Sequence, residues 1–127
     1  MRTFLLSPVA LAVLFAGLAG CAKQHDCQSS CAKLFGNTDG QCNIQVPGHT
    51  DANGQSDMIN TCENYCQQAM SQAGEVEDYD PNVRSSGNED VGLDNMAQAA
   101  LWMDCIDETE CGDLKDNYCA PTTNYPI

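Results

Sequence analysis

The sequence predicts a small, mostly α-helical domain stapled by disulfide bonds, with about four short helices and long loops. Three observations predict this fold class. Nine of the 127 residues are cysteine, large apolar side chains are scarce after residue 20, and apolar residues recur at three-to-four spacing. After residue 20 the chain has four Leu, one Phe and one Trp. The burial of so little apolar surface compensates only weakly for the conformational entropy that the chain loses on folding. We therefore expect covalent crosslinks to contribute to the stability of the fold.

The first 20 residues have the three-part layout of a secretory signal peptide. Arg2 supplies a positive charge, residues 4–16 are largely apolar, and small residues stand at 17, 19 and 20. The apolar run is shorter than the roughly 20 residues that a transmembrane helix needs. Pro8 also removes a backbone donor within it. We therefore predict a cleaved signal peptide over 1–20.

The predicted signal peptide ends in the motif Leu18-Ala19-Gly20-Cys21. This motif resembles the lipobox of bacterial lipoproteins, which signal peptidase II cleaves. In that family the cysteine thiol carries diacylglycerol, and an N-acyl chain such as palmitate can follow. The resemblance implies that Cys21 is the lipidated N-terminus of a tether over 21–26. Ala22 rather than aspartate follows it, a family pattern that favours the outer membrane, facing the periplasm or the exterior.

The other eight cysteines predict a framework of up to four disulfides in an exported domain. They are Cys27, Cys31, Cys42, Cys62, Cys66, Cys105, Cys111 and Cys119. Their even number agrees independently with the assignment of Cys21 to the lipid. Zinc binding or a redox motif is disfavoured, because the chain has no CxxC pair.

Two cysteine pairs share a spacing of four, Cys27 with Cys31 and Cys62 with Cys66. On a helix this spacing puts both members on one face, about 5–6 Å apart. Two such helices packed antiparallel would pair Cys27 with Cys66 and Cys31 with Cys62. The spacing resembles the twin CxxxC hairpins of mitochondrial intermembrane-space chaperones, as a shared mechanical solution.

The spacing of the remaining four cysteines leaves two pairings open. One joins Cys105 to Cys119 and Cys42 to Cys111. The other joins Cys42 to Cys105 and Cys111 to Cys119.

Cap residues and apolar spacing predict where each helix begins and ends. We expect helices over 27–35, between Asp26 and Gly36, and over 57–73, capped by Ser56 or Asp57 and ended by Gly74. A third helix is expected to start near Asp94 and run to 106, and a fourth over 110–118. The second helix should bury the stripe that includes Cys62, Cys66 and Met70. The third should bury Ala97, Leu101, Trp102 and Cys105.

We therefore predict a single domain over 27–127, after the tether. A long loop over 36–56 is expected to contain a short extended piece at 42–46 and to be pinned by Cys42. Residues 75–92 have the composition of a flexible, exposed acidic loop.

The charge balance restricts the possible partners. Eighteen acidic residues all follow residue 20, against the basic residues Lys23, Lys33, Arg84 and Lys115. A surface this acidic repels nucleic acid and anionic lipid headgroups, so no nucleic-acid partner is predicted. Apart from the membrane reached by the lipid, the favoured partners are a cationic envelope protein or divalent cations.

The sequence predicts neither an active site nor a cofactor. Its two histidines, His25 and His49, stand in tether and turn segments, and the common nucleophile, zinc and phosphate motifs do not occur. We predict a non-catalytic binding module of the cell envelope. The alternative is a Ca²⁺-binding protein using the oxygen-rich segments 37–40 and 51–54, although neither fits an EF-hand loop. An enzyme or a periplasmic thiol factor is less favoured.

Overall fold

The computed structural model describes residues 26–84 and 92–119. Its four helices are α1 (Cys27–Phe35), α2 (Ala52–Met70), α3 (Met96–Glu108) and α4 (Cys111–Lys115). The described residues contain no strand, only an isolated antiparallel bridge between Arg84 and Tyr118. The predicted class, a mostly helical domain stapled by disulfides, is confirmed.

Four disulfides join the eight cysteines that follow Cys21. They are Cys27–Cys66, Cys31–Cys62, Cys42–Cys111 and Cys105–Cys119. The first two cross between α1 and α2 in opposite chain order, so these helices are antiparallel. The other two follow the first of the alternative pairings. The third helix packs against both α1 and α2.

The first helix has the predicted bounds because strong local signals set both ends. The Asp26 carboxylate accepts a hydrogen bond from the Ser29 amide at 2.6 Å, and the Ser29 side chain completes a capping box. Gly36 follows the last helical residue. The apolar stripe of α1 is buried and consists of Cys27, Cys31, Leu34 and Phe35.

The second helix begins five residues before the predicted start, so that prediction is wrong. Asp51 is the N-cap, and its carboxylate accepts from the Gly54 amide at 2.7 Å. Gly54 is needed there because a Cβ at this position would lie 2.5 Å from the Cα of His49. The Gln55 side chain then donates to the carbonyl of Phe35, which ties the first turn of α2 to the end of α1.

The other end of α2 also differs from the prediction. The helix stops at Met70 with Ser71 as its C-cap, rather than running to Gly74. Met70 is 38 % exposed, so its assignment to the buried stripe is wrong.

The third helix is capped one residue later than predicted, by Asn95 in place of Asp94. The Asn95 side chain accepts from the amides of Ala97 and Gln98, at 3.0 and 3.1 Å. The buried apolar face of α3 consists of Ala99, Trp102, Met103, Cys105 and Ile106. Trp102 and Cys105 were predicted there, whereas Ala97 and Leu101 are only half-buried. The helix continues to Glu108, and α4 ends at Lys115 instead of 118.

The segment after α1 hydrogen-bonds to the end of that helix and forms no strand. The amides of Cys42 and Ile44 donate to the carbonyls of Lys33 and Leu34, at 2.6 and 2.9 Å. The Cys42–Cys111 disulfide then fixes this segment to α4.

The described part of the acidic segment, residues 75–84, lies against the domain. Pro81 is buried and Tyr79 half-buried. Arg84 forms exposed ion pairs with Asp113 at 3.2 Å and Asp116 at 3.1 Å. Such pairs contribute little to stability, about 0–1 kcal/mol each, so the apolar contacts matter more. Residues 85–91 of the predicted loop lie outside the described residues.

Candidate functional site

The predicted site residues fall into two groups. Cys21, the predicted lipid carrier, lies outside the described residues, as does His25. The other eight cysteines are all disulfide-bonded, and apart from the half-buried Cys111 they are buried. A disulfide sulfur supplies no thiolate for catalysis or metal binding, so in this state the eight cysteines serve the fold.

One cleft, of about 260 Å³, lies between α1 and the end of α3. Its lining includes Lys33, Gln41 and Asp107. The Lys33 ammonium donates to the backbone carbonyls of Ile106, Asp107 and Thr109, at 2.7, 2.8 and 2.9 Å. A cation is favoured there because the last carbonyls of a helix lack partners and carry partial negative charge. The ammonium therefore stabilises the fold and is engaged rather than offered to a ligand.

We expect Lys33→Met to lower the free energy of unfolding by about 1–3 kcal/mol, because three carbonyls lose a charged donor in a partly buried place. Urea denaturation measures the change. Lys115→Met is the matched control, since Lys115 is an exposed lysine in the last turn of α4. It should change stability by less than about 0.5 kcal/mol. Equal effects of the two variants would contradict a capping role for Lys33.

A second cleft, of about 320 Å³, lies between the last turns of α2 and the segment before α3. It is lined by Tyr65, Gln68, Ala69, Gln72, Leu93 and Asp94. The Tyr65 hydroxyl accepts a hydrogen bond from the Leu93 amide at 3.2 Å. The only carboxylate in this lining is Asp94, so the cleft does not provide the paired acid and base that hydrolytic chemistry needs.

Two buried polar atoms of the described residues have no hydrogen-bond partner, the Tyr79 hydroxyl and Trp102 Nε1. Burial raises the pKa of Tyr79 well above its usual range, and Tyr65 and Asp80 raise it further. Trp102 belongs to the buried core and Tyr79 packs against it. Neither residue lines the two clefts above.

In and beside the two oxygen-rich segments considered for Ca²⁺, side chains accept hydrogen bonds from nearby backbone amides. Asp51 caps α2, as described above. In the other segment the Thr38 amide donates to Gln41 Oε1 at 3.0 Å, and Gly40 has a φ of +83°, which favours glycine. Within 26–84 and 92–119, no three His, Cys, Asp or Glu side chains gather closely enough to hold a metal.

Among residues 26–84 and 92–119, three large apolar side chains lie at the surface, which the sequence did not single out as a group. They are Met70, Val83 and Met96, exposed by 38, 48 and 45 %. In the described part of the chain, none of the helices has the length and hydrophobicity required to cross a bilayer.

No protein-family model, curated protein or solved structure matches this chain.

Proposed function

We propose that this chain is a lipid-anchored protein of the bacterial cell envelope, placed on the outer membrane through Cys21. Its disulfide-stapled domain acts there as a non-catalytic interaction module. The acidic surface suits a cationic envelope protein as its partner.

One observation carries the proposal. The four disulfides use all eight cysteines that follow Cys21, which supports the assignment of the ninth, Cys21, to the lipid. The helical domain starts at Cys27, six residues further along, which leaves a short tether. Four disulfides also suit an oxidising compartment outside the cytoplasm, which supports export.

The energetics of anchoring are consistent with this role. Each buried methylene of an acyl chain contributes about 0.8 kcal/mol, and stable attachment takes two or more chains. A diacylglycerol on Cys21 satisfies that requirement without a membrane-spanning helix.

A non-catalytic role is supported by how the reactive side chains of the domain are used. The eight cysteines are oxidised, Lys33 donates to three carbonyls, and Asp51 caps a helix. The exposed carboxylates of the described surface, among them Glu75 and Asp94, suit the binding of a cationic partner.

We expect Cys21→Ser to remove the protein from the outer-membrane fraction, because the variant has no thiol to carry the lipid, with the domain still folded. Fractionation followed by intact-mass measurement tests this. The wild-type protein should lack residues 1–20, carry diacylglycerol and have eight hydrogens fewer than its fully reduced form. Lys23→Ser, two residues away, is the control and should stay membrane-bound. Unchanged association of the Cys21 variant with the outer membrane would refute the proposal.

A further inference from the structure

We infer that one end of the domain lies on the bilayer surface, and that the Met70 and Met96 side chains of this end enter the headgroup region. This inference rests on the proposed acylation of Cys21. The relevant end, called here the anchor-side pole, comprises the start of α1, the end of α2 and the start of α3.

Three contacts bring these helix ends together. The Cys27–Cys66 disulfide holds the first residue of α1 5.7 Å, Cα to Cα, from α2. Met70 follows Cys66 by one helical turn, about 6 Å along the axis. The Met96 amide donates to the carbonyl of Gln72 at 2.8 Å, which sets the start of α3 beside the end of α2.

The length of chain before α1 confines this pole to the neighbourhood of the membrane. Cys21 and Cys27 are six residues apart, and a fully extended chain spans at most about 3.6 Å per residue. The start of α1 can therefore lie no further than roughly 22 Å from an acylated Cys21. Since α2 is 19 residues long, its beginning is about 28 Å from the pole. The anchor-side pole is the part of the domain nearest the lipid.

The distribution of exposed apolar side chains matches this orientation. Met70 and Met96 lie at the anchor-side pole, with 38 and 45 % of their surface exposed. Val83 lies at the far end, because its neighbour Arg84 pairs with Asp113 of α4. That helix is joined through Cys111 to Cys42, beside the end of α1. Methionine is flexible and apolar, which suits it to the uneven interface between headgroups and acyl chains.

The charge at this pole specifies the kind of lipid. Asp26, Glu75 and Asp94 are exposed there, and Glu75 is placed at the pole by the hydrogen bond from Asn95 Nδ2 to its carbonyl, 3.0 Å. These carboxylates give anionic headgroups no electrostatic attraction. The partner that fits is a zwitterionic bilayer surface, contacted through the two methionines.

Methionine oxidation by dilute hydrogen peroxide tests the orientation, because the rate of sulfoxide formation follows exposure. The acylated protein on vesicles of phosphatidylethanolamine and phosphatidylcholine is compared with Cys21→Ser protein that lacks residues 1–20 and is free in solution, and peptide mass spectrometry gives the rate at each methionine. We expect Met70 and Met96 to react about threefold more slowly on vesicles. Val83→Met provides an exposed methionine at the far end, whose rate should be the same in both states. The buried Met58 and Met103 report whether the fold is intact.

The two proposals fail differently in this experiment. If intact mass shows no lipid on Cys21, or the purified protein does not partition onto vesicles, the proposed function fails and the orientation with it. If the protein is acylated and vesicle-bound but Met70 and Met96 react as fast as in solution, only the orientation is overturned. Slower oxidation at position 83 as well would also overturn it, since the whole surface would then be shielded.

Discussion

Replacing both Cys31 and Cys62 with alanine is expected to lower the free energy of unfolding by about 3–4 kcal/mol. The Cys27–Cys66 bridge still joins the same two helices four residues away on each, so the loss frees only the short loop between the two bridges, worth about 2–3 kcal/mol in the loop-closure model. Both side chains are fully buried between α1 and α2, and truncating them also removes packing contacts. The total free energy of unfolding of a small domain is about 5–15 kcal/mol, so this loss is a large fraction of its stability.

Chemical denaturation followed by circular dichroism measures this effect. The single variant Cys62→Ala should cost about 2–5 kcal/mol, since it removes the same bridge and leaves the Cys31 thiol unpaired in the core. The matched control is the double alanine variant of Cys105 and Cys119, whose separation is only 14. The loop-closure model gives that bridge about 3 kcal/mol, a comparable entropic term, so a larger loss in the Cys31 and Cys62 variant reports the packing between α1 and α2. If the double variant of Cys31 and Cys62 unfolds at the same denaturant concentration as the wild type, the view that disulfides compensate for the small apolar core is contradicted.

The sequence predicted α1 and its crossed link to α2 because local signals dominate there. Asp26 caps the helix, Gly36 ends it, and the spacing of four in each cysteine pair fixes the inward face. Antiparallel packing then allows a single crossed pairing.

The start of α2 could not be predicted by the same rules. Residues 51–54 have the composition of a turn, and glycine within a helix is unfavourable by about 1 kcal/mol. Tertiary contacts override this preference: Gly54 packs against the His49 backbone, and Gln55 bonds to Phe35. Neither contact is encoded in a local sequence pattern.

The same distinction between local signals and tertiary contacts applies to the candidate site residues. Cys21 is predicted as a lipid carrier from a motif alone, and it lies outside the described residues. The role of Lys33 could not be predicted from the sequence, because its partners are backbone carbonyls 73 to 76 residues away. Any residue type supplies such a carbonyl. The anchor-side pole likewise depends on helix ends that only the disulfides and the Met96–Gln72 hydrogen bond bring together.

Trp102→Ala is expected to destabilise the domain by about 3–5 kcal/mol, the usual cost of truncating a buried aromatic side chain. Trp102 is the largest fully buried side chain of the described residues, and it lies in the core on α3. Thermal unfolding by circular dichroism measures the loss.

Trp102→Phe separates the packing of the ring from its polar atom. The indole Nε1 has no hydrogen-bond partner, and an unpaired buried donor costs about 1–3 kcal/mol. Phenylalanine removes that cost while keeping a ring in the core, so the gain offsets much of the lost volume. We expect this variant to lie within about 1.5 kcal/mol of the wild type. If it were as unstable as Trp102→Ala, the indole nitrogen would have to contribute a favourable interaction, and the account of Trp102 as a purely apolar core residue would be wrong.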